Sequence, residues 1–511
     1  MDKLLLVTPD RSLGRAEFDN RCSRAATALK SLGIARDSRI AILMYNDTPF
    51  LEVSVAASRL GAYTVPINWH LTSSEIDYIL RDSGASILVA HDVLWHNVAP
   101  GLTSEVKTLL VEAPPGVLKA YGSRGESSDS TNYLSYEAEL ESSEPYLSKE
   151  SITLGSILYT SGTTGYPKGV RRQPVDPKDA PQLGGVLQQF FGFSAEREVR
   201  TIIPAPLYHA APNMYAIVAA NLGHQVVLMT RFDPEQFLRE VDQHKITHIS
   251  LVPTMLHRLL RLPKEVRQAY DTSSIEFVAT SAAPCPAFLK TEITKWWGPV
   301  LYEFYGGTET GGVTFCTPED ALRRPGTVGK VHTSASVKIR RENSDCEAGP
   351  GETGEIYCRL HCFPDFTYLN NDDKRKDIEW NGLISLGDIG YLDEEQYLYI
   401  CDRQKDMVIS GGVNIYPAEI EKALLNCAGV ADCAVFGIPD TEFGESVCAH
   451  IVAEDGHELT ESEVKRSLDG KIARFKIPRV IEFVESLPRE ESGKLFKRKL
   501  KERYLSKTPY S

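Results

Sequence analysis

The chain has 511 residues, 42% of them hydrophobic and 24% charged. At roughly 100 to 200 residues per domain, that length calls for two or more domains with sizeable cores and excludes a peptide hormone, a small binding module or a disulfide scaffold. The 56 Lys and Arg against 69 Asp and Glu leave a net charge of −13, which disfavours a protein that coats nucleic acid or an anionic membrane with its whole surface. Ten cysteines are scattered from Cys22 to Cys448 without zinc-site spacing. Sparse, unpaired cysteines point to the reducing cytoplasm. The opening MDKLLLVTPDRS has too short an apolar run for a signal peptide or a membrane span, and the closing SKTPYS carries no lipidation signal.

From residue 39, apolar runs of strand length alternate with helix-period segments. Strands are predicted at 39–46, 63–68 and 85–91, helices at 48–62 and 73–84, and the rhythm recurs at 226–253, where Asp233-Pro234 opens a helix. Strands separated by single helices predict an α/β fold whose large N-terminal domain layers mostly parallel sheets with helices. The polar, acidic stretch from Ser123 to Ser151 reads as a solvated connection. MLHRLLRLPKEV reads as a core-packed helix interrupted by Pro263. GEIYCRLHCF, with Cys358 and Cys362 around His361, alternates as a strand does.

Beyond residue 402 the units shorten. A helix at 417–427, strands at 433–439 and 448–455, a helix opened by the capping box Thr460-x-x-Glu463 and a strand at 479–484 predict a small α+β domain. The division expected is therefore 1–402 and 403–511. Residues 471–511 hold twelve Lys or Arg and five Asp or Glu, so this end is basic while the rest of the chain is acidic.

The densest chemical signal is Tyr159-Thr160-Ser161-Gly162-Thr163-Thr164-Gly165-Tyr166-Pro167-Lys168-Gly169, where an apolar strand runs into glycines, hydroxyls and one lysine. Glycines let backbone N–H groups approach phosphate oxygens, hydroxyls add donors and the lysine adds charge. The segment does not match G-x-x-x-x-G-K-[ST], because Lys168 is followed by glycine. Composition alone leaves a generic Gly/Ser turn open.

The loop YTSGTTGYPKG resembles the phosphate loop of the adenylate-forming superfamily, which contains acyl-CoA synthetases, peptide-synthetase adenylation domains and luciferases, and further motifs follow in that family's order. Tyr302 to Glu309 (YEFYGGTE) resembles the adenine and magnesium segment, LGDIGY around Asp388 the ribose segment, Asp402 to Asp406 (DRQKD) the hinge, and Glu491 to Lys494 (ESGK) the C-terminal catalytic lysine. The resemblance runs from 156 to 494. It implies an acyl- or aryl-CoA ligase that uses ATP, Mg²⁺ and coenzyme A.

Carried over position by position, the resemblance assigns ATP contacts to Thr160, Ser161, Gly162, Thr163, Thr164, Gly165 and Lys168, to Ser281, Ala282 and Ala283, to Glu303, Phe304, Tyr305, Gly306 and Gly307, and to Asp388 and Arg403. It gives Thr308 and Glu309 to catalysis, with Glu309 a ligand of Mg²⁺, and makes Lys494 the lysine that meets the carboxylate and the α-phosphate. Lys405 is the implied hinge. Ser410, Gly411 and Gly412 would line the pantetheine tunnel, and Phe475 and Arg479 would meet the CoA nucleotide, although Ile477 stands where some aryl-CoA ligases carry a basic residue. His209 resembles the gate between acyl pocket and thiol tunnel. Tyr208, Ala210, Ala211, Asn213, Met214 and Thr310, with Ser281, Gly306 and Gly307, are the expected acyl-pocket surroundings. Small or apolar, without an arginine for a second carboxylate, they imply an apolar acid of fatty, aryl or sterol type.

The expected partners are thus a small carboxylic acid, ATP and CoA, with no nucleic acid and no integral membrane segment. A homodimer is compatible with the family, but no sequence feature specifies it. The alternatives are an adenylating enzyme that loads a carrier protein, luciferase chemistry, and a nucleotide-binding relative without turnover.

Overall fold

The computed structural model describes residues 3–122, 133–147, 154–160, 167–194, 196–283, 285–342, 344–410, 413–454, 456–489 and 495–505. The first of five sheets is wholly parallel, in the order Tyr63–Pro66, Arg39–Leu43, Ile87–His91, Lys107–Val111, Leu134–Ser135. Ile40, Ala41, Ile42 and Leu43 are all fully buried, as strands covered on both faces require. The predicted helix between the first two strands spans Thr48–Leu60, begins at Asp47, whose carboxylate accepts from the Thr48 N–H, and ends at Gly61 in the left-handed region (φ 64°).

The second sheet has nine strands. Leu4–Val7, Gln225–Leu228, Arg200–Ile203, His248–Leu251, Phe277–Thr280 and Leu301–Gly307 lie parallel, and antiparallel strands close both edges. In open parallel sheets, ligands gather at the carboxyl ends of the strands. Here those ends lead to Pro206–His209, to Ser281–Ala283 and to Thr308–Thr310. A three-stranded sheet joins Leu158–Thr160, Lys168–Arg172 and Phe366–Tyr368. A fourth, antiparallel sheet contains Gly354–Leu360, Leu383–Leu392 and Leu398–Arg403, and a fifth begins at Val408–Ser410 and holds Val430–Asp440, Gly444–Ala453 and Val480–Phe483.

The C-terminal capping box is present, Thr460 accepting from the Glu463 N–H and Glu463 from the Thr460 N–H. The predicted core helix runs Pro253–Leu260 with Met255, Leu256 and Leu259 buried, and stops before Pro263. The acidic connection needs correction. Within it, Tyr136–Ser142 forms a helix, because Tyr136 and Leu140 are four residues apart and both bury one face. The Tyr136 hydroxyl donates to Glu52 (2.8 Å), a fully buried carboxylate that also takes both ends of the Arg21 guanidinium. No described helix is long and apolar enough to cross a membrane.

A polar seam joins the two parallel sheets at their carboxyl ends. Buried Asn46, after the strand Arg39–Leu43, donates to the Ala205 and Met229 carbonyls (2.9 and 3.1 Å) and accepts from the Leu207 N–H (2.8 Å). Buried Asn213 donates to the Leu207 carbonyl (3.0 Å) and accepts from Ser156 (3.0 Å), whose hydroxyl lies 2.8 Å from that of Thr64. Every amide position in the seam has a partner, so Asn46→Ala strands several buried groups at about 1–3 kcal/mol each. The variant is expected to unfold at a clearly lower urea concentration than the parent chain.

Candidate active site

The strand Leu301–Gly307 alternates as its sequence dictates, with Leu301, Glu303 and Tyr305 buried on one face. Tyr305 donates its hydroxyl to Asp388 Oδ2 (2.7 Å), while Arg403 Nε approaches Asp388 Oδ1 at 2.9 Å. Asp388 reaches this position because Gly387 before it adopts φ 73°, a conformation that disfavours side chains. Burial pushes the Asp388 carboxyl up from the usual range, opposed by Arg403 and by the Tyr305 hydroxyl. Each carboxylate oxygen has a second lone pair, so two vicinal hydroxyls can still be accepted there. Residues 83 apart in sequence thus meet in one hydrogen bond.

A second cluster lies where the hairpin of strands Leu158–Thr160 and Lys168–Arg172 meets the loop after Gly307. Glu309 Oε1 accepts from the Tyr368 hydroxyl (3.0 Å), and Lys168 Nζ stands 5.1 Å from the centre of the Tyr368 ring. Burial and the neighbouring Lys374 push the Lys168 ammonium down, with Glu309 opposing. The hairpin pairs Thr160 with Lys168, and Tyr368 pairs with Val170, so strand register delivers lysine and tyrosine to one place. Mg²⁺ suits this donor set: it keeps several waters and takes one or two carboxylates plus nucleotide phosphates. Among the described residues there is no cluster of three or more His, Cys, Asp or Glu that would make an all-protein cage.

The profile of the AMP-binding enzyme family matches residues 1–362, and that of the AMP-binding enzyme C-terminal domain matches 419–494. The chain belongs to the AMP-binding enzymes. The long-chain-fatty-acid–CoA ligase FadD13 of Mycobacterium tuberculosis is 32% identical, covering 97% of this chain and 93% of its own. The fatty acid–[acyl-carrier-protein] ligase ScoC of Streptomyces coeruleorubidus is 30% identical, covering 97% and 92%. Among solved structures, o-succinylbenzoate CoA synthetase (MenE) of Bacillus subtilis with its acyl-adenylate OSB-AMP superposes with a TM-score of 0.80 at 27% identity, covering 98% of this chain and 95% of that one. ATP-bound MatB of Rhodopseudomonas palustris gives 0.82 at 28%, covering 98% and 96%. These relatives place the chain in the CoA-ligase branch of the adenylate-forming superfamily, as an AMP-forming acid–thiol ligase.

Within this AMP-binding enzyme, the side chains do not all lie where the sequence expectation put them. Glu303 turns away from the site into a buried ion pair with Lys290, whose ammonium also donates to the Thr327 carbonyl (3.0 Å). Phe304 stacks on Phe190 (5.4 Å between centres) and packs on the main core. The Tyr305 ring is buried and anchored through its hydroxyl rather than offered as an open face. Thr310 is also buried, its hydroxyl accepting from the Gly307 N–H (3.0 Å) and donating to the Gly311 carbonyl (2.9 Å), which fixes the hairpin instead of lining a pocket. Asn213 is bound into the seam described above. Gly306 is required by the same hairpin, since a side-chain carbon there would lie 1.9 Å from the Gly311 carbonyl oxygen.

Other positions keep open sites. Ser281 and Ala283 are half-buried and Ala282 is exposed with φ 72°, in the loop after Phe277–Thr280. His209 precedes the helix Ala210–Asn221 and lies 4.4 Å from the Tyr208 ring, which meets Trp69 edge-on at 6.3 Å. Ala210, Ala211 and Met214 are half-buried on the same helix. Arg403 and Lys405 are exposed, and Ser410 ends the strand Val408–Ser410. Phe475 is exposed, and Arg479 stands 3.6 Å from Asp440 and 4.1 Å from the Phe443 ring centre. Ser161 to Gly165, Gly411, Gly412 and Lys494 lie outside the described residues.

Sequence reasoning missed Tyr368, Asn46 and Arg172, and it gave Ser156, the first residue of the glycine-rich segment, no role of its own. A tyrosine in a short strand and an asparagine after a buried one carry no local signal, since their partners arrive through sheet pairing. Tyr305→Phe is expected to remove one hydrogen bond to a carboxylate, worth about 1.5–3 kcal/mol, and to raise the KM for ATP about tenfold or more with the fold intact. Initial-rate kinetics at varied ATP, with circular dichroism as control, check this.

Proposed function

We propose that the enzyme joins an apolar carboxylic acid of fatty, aryl or sterol type to coenzyme A, with ATP as the activating co-substrate. The observation that carries the reading is a pair of clusters, Tyr305–Asp388–Arg403 and Lys168–Tyr368–Glu309, linked by the short run from Tyr305 to Glu309 at the end of the strand Leu301–Gly307. The first offers acceptors and a cation suited to a ribose, and the second a cation and a carboxylate suited to a magnesium-bound polyphosphate. Supporting the apolar acid are Ala210, Ala211, Met214 and the aromatic wall of Tyr208 and Trp69.

In the first half-reaction a carboxylate oxygen of the acid attacks the α-phosphorus of ATP, the bond to the bridging oxygen breaks, and pyrophosphate leaves. Two anions must approach, so positioning and charge neutralisation dominate the barrier. Lys168 and Lys494 supply positive charge, and Thr163 and Thr164 hold the departing pyrophosphate. Mg²⁺, held by Glu309, neutralises phosphate charge when bound. In the second half-reaction the CoA sulfur attacks the acyl carbon and AMP leaves, a step open to the mixed anhydride but closed to the parent carboxylate. A rotation of 403–511 about Lys405 withdraws Lys494 and brings Ser410, Gly411 and Gly412 towards His209 for this step. Phe475 and Arg479 then meet the CoA nucleotide.

Pyrophosphate release across fatty, aryl, hydroxyaryl and sterol acids of graded length tests the acid class. A sharp optimum among apolar acids is expected, and silence across the whole panel with ATP, Mg²⁺ and CoA would sink the proposal. A second reading, transfer to a carrier-bound thiol, is favoured by the likeness to ScoC at 30% identity. Replacing free CoA by a phosphopantetheinylated carrier separates the two. The roles of the two lysines are distinguishable as well. Lys494→Ala should lose adenylation by several orders of magnitude while sparing thioester formation from supplied acyl-AMP, and Lys405→Pro should impair the second step more than the first. Equal loss of both steps in both variants would contradict the rotation.

A further inference from the structure

Arg172 closes the strand Lys168–Arg172, four residues after Lys168 and therefore on the same face. Its guanidinium donates through Nη2 to the Thr308 carbonyl and through Nη1 to the Pro364 carbonyl (2.5 Å), and its central carbon lies over the Phe363 ring, 3.7 Å from the ring centre. Its own carbonyl accepts from the Tyr63 hydroxyl (3.0 Å), and strand pairing sets it opposite Phe366. Among the described residues no carboxylate forms an ion pair with it. Burial lowers its pKa, with the fields of Glu309 and Asp365 opposing. A half-buried cation without a contacting counter-ion carries a desolvation cost, and an aliphatic side chain would suit the surrounding phenylalanine rings at lower cost. What arginine adds is a rigid two-pronged donor that ties the peptide unit preceding Glu309 to the Pro364 carbonyl.

We propose that Arg172 is a positioning residue for Glu309: it fixes the backbone through Thr308 while Tyr368 fixes the carboxylate, so that Glu309 is already oriented for the metal–nucleotide complex. The inference rests on the adenylate-forming reading above. The two restraints come from adjacent paired strands, Arg172 from Lys168–Arg172 and Tyr368 from Phe366–Tyr368. Neither needs to touch the substrate.

The test uses the full chain with Arg172→Met and Arg172→Lys, and reads Mn²⁺ affinity by electron paramagnetic resonance in the presence of a non-hydrolysable ATP analogue. The Mg²⁺ dependence of pyrophosphate release, the KM for the acid and the melting temperature are measured alongside. Loss of a charge-assisted hydrogen bond is expected to weaken metal affinity about tenfold in Arg172→Met, with an unchanged KM for the acid. Arg172→Lys should fall between, because one ammonium cannot serve both carbonyls in the same plane. Parental Mn²⁺ affinity in a folded Arg172→Met overturns the proposal, as does a parallel loss of acid and metal binding, which a purely structural arginine would give. If Arg172→Met does not fold, Arg172→Lys decides: weakened metal affinity at an unchanged acid KM supports the role, and parental affinity ends it. A parent enzyme that binds no Mn²⁺ with nucleotide removes the adenylation reading and the inference together, whereas metal binding in the parent with an unaltered variant removes the inference alone.

Discussion

Two parallel sheets, each with its own helices, have to be held so that their carboxyl-end loops face one another. The restraint that does this is a buried chain of hydrogen bonds running from Thr64 through Ser156, Asn213, Leu207 and Asn46 to Ala205 and Met229. Apolar packing alone is non-directional and would tolerate small slides between layers. Paired amides tolerate none without leaving donors unmade. Because Ser156 leads into the hairpin of Leu158–Thr160 and Lys168–Arg172, and Leu207 into His209, the seam that aligns the sheets also sets the distance between these two parts of the candidate site.

The electrostatics follow from this enclosure. Asp388, Glu303, Asp402 and Glu52 are all buried carboxylates whose pKa values burial raises, and each has a specific cationic or hydroxyl neighbour opposing that rise. The cations differ in function. Arg21 and Lys290 complete structural pairs, whereas Lys168 and Arg403 keep solvent-facing charge at the rim of the candidate site. A net acidic chain can thus serve two polyanionic substrates, because the positive groups that matter are local and the acidic excess lies elsewhere.

Much of the fold was legible in the sequence because its signals are periodic and local. The alternation between 39 and 91, the Asp233-Pro234 helix start and the Thr460–Glu463 box all reappear as elements. The misreadings share a physical cause, which is dependence on distant partners. Tyr136–Ser142 is helical because it packs on the helix Arg15–Ser31 and its Tyr136 hydroxyl reaches Glu52, and nothing in an acidic stretch announces that. The segment that resembles an adenine and magnesium motif forms a strand at 301–307, and strand alternation sends Glu303 and Tyr305 to the buried side, where Lys290 and Asp388 wait. Family resemblance identifies positions; only pairing across sheets tells which atoms of those positions are free.

Asp402 lies in the strand Leu398–Arg403, and its carboxylate accepts from the Ala418 N–H at the start of the helix Pro417–Leu425 (2.7 Å), while burial lifts its pKa to about 6 with Lys497 opposing. The helix Pro417–Leu425 is therefore tethered by its first turn to the segment that precedes the proposed hinge at Lys405. The proposed rotation of 403–511 would require this bond either to travel with the pivot as an axle or to break as a catch. If it is an axle, the arc available to residues 403–511 is limited by one side chain's reach, and turnover inherits a mechanical stop located outside the substrate site.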